Sequence, residues 1–228
     1  MKTEQKYNDL CRHIWDFYLQ NDQEIRNVIE PHASPMLPPP PRDKPVVMLF
    51  VGLSPSFNDR TLNFFDADFQ TAQSKARQRR YEDYPTYYRP LLKIAESVDT
   101  RLGPWYNKAE WLVEFTDLCH LPVNKSKALH DLLKTLPDVR RHCLDNLANE
   151  IRLLKPKLVV ANGCETSNCI WERWGSNTPF DPSADKPLVH CPELNCTFHL
   201  SGFITSGHLD IYNRARLVRE LKEHFQQG

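Results

Sequence analysis

The chain has 228 residues, of which 40% are hydrophobic and 25% charged, and its 29 basic and 29 acidic side chains cancel to a formal net charge of zero. No apolar run approaches the ~18 residues of a membrane span and the N-terminus lacks a secretory pattern, so a cytoplasmic protein without a membrane partner is expected. Zero net charge removes a bulk signature of nucleic-acid binding and leaves local clusters to be weighed instead: Lys75, Arg77, Arg79 and Arg80; Arg140 and Arg141; Arg214, Arg216 and Arg219.

At this length one well-cored domain over residues 1–228 is expected. Residues 1–30 place Leu10, Ile14, Phe17, Tyr18, Ile25 and Val28 at mostly helical spacing, which predicts one or two amphipathic helices. Residues 31–45 carry seven prolines and read as an extended polyproline strap. An SH3-type ligand is the rival reading of that stretch, and a stiff connector the favoured one.

The α/β core begins at residue 46. Six apolar residues from Val46 to Val51 suit a strand buried on both faces, as in a parallel sheet covered by helices. The strand breaks into Gly52-Leu53-Ser54-Pro55-Ser56-Phe57-Asn58-Asp59, and open α/β sheets bind their ligands beyond the carboxyl ends of their strands. Helices are predicted over 69–80 and 87–98, a second strand over 111–116, helices near 126–136 and 138–154, and a short strand in Lys157 to Gly163 backed by a helix over 165–173. A polar loop over 175–187 precedes Cys196-Thr-Phe-His-Leu200, and Ile211 to Phe225 forms the closing helix. Strands alternating with helices predict a three-layer α/β/α sandwich around a central, mostly parallel four-stranded sheet.

Three polar loops follow apolar stretches: Gly52 to Asp59, Thr116-Asp117 through Asn124, and Ser206-Gly207-His208. Their order and type, together with Leu153-Leu-Lys-Pro-Lys-Leu-Val-Val-Ala-Asn-Gly163, resemble the uracil-DNA glycosylase superfamily, including its mismatch-specific thymine/uracil branch. The resemblance covers roughly residues 45–225. It implies a monofunctional DNA glycosylase that needs no cofactor, binds DNA as a monomer, flips a base out of the stack and hydrolyses the N-glycosidic bond with water. Gly52 and Leu53 then border the base, and Phe57 stacks on it, with Phe64 and Phe65 as rival stackers. The superfamily often places Asn or Asp where this chain has Ser54, a poor base, so the water falls to Asp59, with Asn58 second. Either residue can instead be a helix N-cap.

His208 resembles the histidine that donates to a base oxygen as charge develops there, although Leu209-Asp210 replaces the usual Pro-Ser. Ser206, Gly207, Tyr212, Arg214 and Arg216 surround it in sequence and are the expected DNA-binding residues. Asp117 stands where relatives carry an asparagine that reads uracil. An ionised aspartate only accepts hydrogen bonds, which disfavours uracil O4 and suits the exocyclic amine of cytosine. The implied target is therefore a modified cytosine, as in foreign viral DNA left with abasic sites. Uracil or G:T/G:U mismatch repair is the alternative substrate class, and Asp117 facing a helix or backbone the structural alternative.

Two readings from other classes stand beside this one. A catalytically silent nucleic-acid-binding module would account for Ser54. A phosphoester hydrolase would use the Gly52 loop as an anion cradle, but the loop lacks the Gly-x-x-x-x-Gly-Lys pattern. The seven cysteines, an odd number, read as reduced thiols. Cys164-x4-Cys169 and Cys191-x4-Cys196 could supply four thiolates, but their spacing is unlike structural zinc, so no metal is expected.

Overall fold

The computed structural model describes residues 2–29, 34–55, 68–78, 85–102, 112–123, 126–176, 180–181, 187–202, 204 and 211–227. In chain order these form α1 (Lys2–Gln20), α2 (Asp22–Arg26), β1 (Met48–Gly52), α3 (Phe69–Gln78), α4 (Pro85–Val98), β2 (Val113–Asp117), α5 (Ser126–Thr135), α6 (Pro137–Leu154), β3 (Leu158–Ala161), α7 (Cys164–Ile170), β4 (Leu188–Cys191), β5 (Cys196–His199) and α8 (Ile211–Gln227). No described helix is long and apolar enough to cross a membrane.

The protein is α/β, with a sheet of order β2-β1-β3-β5-β4. β1 pairs parallel with β3 and β3 parallel with β5, in the registers Phe50 to Val160 and Val159 to Phe198. The sheet has five strands rather than the expected four. The extra strand, β4, runs antiparallel to β5 at the edge, with Val189 opposite Phe198. It hides in the sequence because it is four residues long and alternates exposed Leu188 and His190 with buried Val189 and Cys191, which gives too little periodicity to stand out. A short 3-10 turn, Pro192–Leu194, and Asn195 at φ 51° close the hairpin, a left-handed position that asparagine tolerates.

The chain groups into two compact units. One comprises Arg42–Val51, Arg80–Phe115 and Lys155–Gly228 and holds most of the sheet. Alternate residues of three strands (Met48 and Phe50, Val113 and Phe115, Leu158 and Val160) join Leu91, Leu92, Ile94 and Ala95 of α4 and Leu217 and Leu221 of α8 in one apolar cluster. Phe50 and Phe115 lie nearly parallel at 5.7 Å between centroids, and Tyr88 meets Phe115 edge-on at 4.9 Å. The intervening Leu49, Val51, Val159 and Ala161 are equally buried, so both faces of the central strands are covered, as their unbroken apolar runs require.

The other unit comprises Met1–Pro41, Gly52–Arg79 and Thr116–Leu154. Tyr7, Cys11, Ile14 and Tyr18 follow helical spacing along α1 and are all buried, on a helix that packs against α6. The proline-rich segment is tied down within this unit. Tyr7 Oη donates to the Pro38 carbonyl at 3.0 Å, the Met36 amide donates to the His120 carbonyl at 2.7 Å, and Leu37 is buried. Prolines lack amides that need partners, so a strap of them can lie along the protein with few backbone groups to satisfy.

Candidate functional site

β1 and β2 end together. Beyond the strands, the Leu118 amide donates to the Gly52 carbonyl at 2.8 Å and the Cys119 amide to the Leu53 carbonyl at 2.9 Å, so the two departing loops stay zipped for a further step. This joins three sequence-predicted base-binding residues, Gly52, Leu53 and Asp117, on one ledge. Gly52 is buried, while Leu53, Ser54 and Asp117 are partly exposed. Phe57, Asn58, Asp59, Phe64 and Phe65 lie outside the described residues, as do Ser206, Gly207 and His208.

Beneath the ledge runs a buried polar network. Thr116 Oγ1 donates to Glu150 Oε2 at 2.6 Å, and Glu150 Oε1 lies 2.8 Å from His120 Nε2. His120 Nδ1 lies 2.9 Å from the Met36 carbonyl. A carbonyl only accepts, so Nδ1 carries a hydrogen; with a carboxylate on the other side, both ring nitrogens donate and the ring is an imidazolium. Burial, the largest influence, pushes the His120 pKa down, but the charge and hydrogen bond of Glu150, aided by Asp117, outweigh it and hold the pKa above the ordinary histidine value. His120 and Glu150 are each about 2% exposed, so the pair is shielded from screening by water.

Glu150 belongs to a polar row on the buried side of α6. His142, Asn146 and Glu150 follow at four-residue spacing, and all are buried. The His142 ring stacks on Phe17 at 3.5 Å between centroids, and burial drives its pKa down to about 3. Among the described residues neither amide atom of Asn146 has a hydrogen-bond partner. Next to this row, Tyr18 Oη sits 3.3 Å from Cys119 Sγ and 3.4 Å from Cys143 Sγ. Cys119 and Cys143 are buried, while the sequence pattern assigns no role to His120 or Glu150 and marks Thr116 only as the start of a polar loop. The available sign was three polar residues interrupting the apolar stripe of α6 in its own period.

The end of β3 supplies a second ordered feature. Asn162 is buried; its amide donates to the Val51 carbonyl at 2.8 Å, its Oδ1 accepts from the Ile204 amide at 2.8 Å and its Nδ2 donates to Tyr87 Oη at 3.3 Å. It stands just beyond the carboxyl end of β3, the edge at which open α/β sheets bind ligands. Alongside, a cavity of about 320 Å³ opens between the ends of β3 and β5 and helix α8, lined by Cys164, Phe180, His199, Ser201, Arg216 and Glu220 among others.

The two predicted DNA-binding arginines of α8 separate. Two residues apart on a helix is about 200° of rotation. Arg214 borders a groove with Ser97, Arg219 and Lys222, whereas Arg216 lines the cavity and pairs with Glu220 at 2.7 Å. Glu220 also takes His199 Nε2 at 2.9 Å, and these bonds, His199 first, carry its pKa down to about 2 against the effect of burial. Tyr212 lies in the first turn of α8, and its side chain is outside the described residues. Elsewhere, Arg77 is paired with Glu4, and Arg141 with Asp138 at 2.7 Å.

None of the seven cysteines is in a disulfide; Cys191 and Cys196 lie opposite one another in the β4 and β5 hairpin, and Cys164 is exposed. Among the described residues no group of three or more His, Cys, Asp or Glu is arranged to hold a metal ion. The chain matches no protein-family model and no curated protein.

Proposed function

We propose that this protein is a monofunctional DNA glycosylase that extrudes a modified cytosine and hydrolyses its N-glycosidic bond. The observation that carries the reading is the ledge at the ends of β1 and β2. It brings Gly52 and Leu53 beside the loop of Asp117, and Asp117 sits partly exposed at its lip. A carboxylate there accepts from an exocyclic amine and repels a carbonyl oxygen, which selects a cytosine edge over a uracil edge. The proposal includes the three-layer α/β/α arrangement of the uracil-DNA glycosylase superfamily, with the Gly52 and Asp117 loops leaving β1 and β2 and His208 lying between β5 and α8 in the sequence.

In this mechanism a residue of the first loop (Asp59, Asn58 or Ser54) aims water at the sugar carbon, Phe57 or Phe65 stacks on the base, and His208 donates to the base oxygen as charge grows there. Water is the nucleophile, so the product is an abasic site. Modified cytosine marks foreign DNA, and its removal would act as a defence against a virus. Incubation with duplexes carrying a substituted cytosine, uracil or a G:T mismatch, followed by alkaline cleavage, tests the reading. Strand cutting with the substituted cytosine is expected. Cutting with uracil alone would replace the substrate, and binding without cutting would point to a silent DNA-binding module.

A further inference from the structure

We infer that Glu150 is a positioning residue, whose single carboxylate clamps both ends of the turn Thr116–His120 and so fixes Asp117 at the lip of the ledge. The inference rests on the glycosylase reading for its consequence in catalysis, and on geometry alone for the clamp. One oxygen of Glu150 takes the Thr116 hydroxyl at 2.6 Å and the other meets His120 Nε2 at 2.8 Å, four residues further on. Between these anchors the Leu118 and Cys119 amides are bound to the Gly52 and Leu53 carbonyls. From the far side Met36 grips His120 twice, its amide on the His120 carbonyl at 2.7 Å and its carbonyl against Nδ1 at 2.9 Å.

Within the turn, Thr116, Leu118, Cys119 and His120 are buried and Asp117 alone is partly exposed. A side chain that must read a base edge gains most from a backbone held to within a fraction of an ångström, and buried supporting hydrogen bonds supply that precision. Asp117 is near enough to His120 for its charge to help Glu150 raise the imidazole pKa. A carboxylate accepts at both ends of the turn with charge-assisted bonds, whereas a glutamine amide can accept from only one of the two groups and must meet the other with its NH2, without the charge.

Thr116→Val breaks the clamp at one end, and Glu150→Gln replaces its two charge-assisted bonds with weaker neutral ones, each with little change in volume. Backbone amide exchange, read residue by residue, should show Leu118 and Cys119 exchanging about tenfold faster or more in Glu150→Gln, and less so in Thr116→Val, with Val159 and Val160 of β3 unchanged. Single-turnover release of substituted cytosine should slow about tenfold in Glu150→Gln, while duplex affinity stays within about twofold. Exchange at Leu118 and Cys119 equal to wild type in both variants, or rising evenly through the whole protein, would overturn the clamp. Should the wild type release no base from any duplex, the glycosylase reading fails, and the amide exchange still decides the clamp by the same two results.

Discussion

His120 and His199 are both about 2% exposed and both meet a helix glutamate at under 3 Å, yet the protein treats the two pairs differently. His120 has an acceptor on each ring nitrogen, and its partner Glu150 is as buried as it is and shares its second oxygen with Thr116. Among the described residues His199 has a partner at Nε2 and none at its buried Nδ1, and Glu220 is 20% exposed and also bound to the exposed Arg216. The first pair is a closed ionic knot under a loop. The second is a tether between β5 and α8 that reaches the surface through Arg216. The same two residue types thus serve as a rigid support in one unit and a solvent-linked tie in the other, and the number of acceptors around the imidazole decides which.

The largest consequence is in stability. Replacing Glu150 with alanine leaves an uncompensated imidazolium and a hydroxyl in a buried site, and should cost about 3–5 kcal/mol in urea unfolding. Glu220→Ala removes one hydrogen bond from a buried ring and frees a surface arginine, and should cost about 1–3 kcal/mol. Equal costs would erase the distinction.

The pH dependence of stability separates the pairs by sign. The His120 value is raised, so its contribution is complete below the unfolded value of 6.5 and lost as pH rises through the folded value; His120→Gln should flatten that alkaline limb. The Glu220 value is depressed to about 2, so its contribution is complete above 4.5 and lost as pH falls through 2; Glu220→Gln should flatten the acid limb. Denaturant midpoints across pH 2–9 for both variants would check this, and interchanged limbs would contradict it. The smallest effect belongs to the knot's neighbour: Tyr18→Phe removes a hydroxyl shared between Cys119 and Cys143 and should cost about 1 kcal/mol, readable in thermal melting.

The sequence made the long periodic elements legible. Val46 to Val51, the Leu91-Leu92-Ile94 face of α4 and the apolar stretch at Leu158 are set by patterns that only burial explains, and the helices end within a few residues of their expected limits. β4 escaped because two buried residues in four carry almost no period, and its place depends on pairing with β5. The candidate site was legible in part for the same reason. Gly52 and Asp117 announce themselves at strand ends, whereas Glu150 lies 33 residues after Asp117 in the middle of a helix. Its meaning appears only when α6 folds under the loop. Arg214 and Arg216 looked equivalent in a row of basic residues until helical rotation gave one a groove and the other a glutamate.

The most direct measurement of the central claim is the base preference of Asp117→Asn against wild type on paired duplexes that differ only in substituted cytosine or uracil. An amide restores a donor toward O4, so the ratio of cytosine to uracil release should fall by about tenfold or more, equivalent to roughly 1–3 kcal/mol of base discrimination. An unchanged ratio, with release intact in both proteins, would show that Asp117 does not read the base.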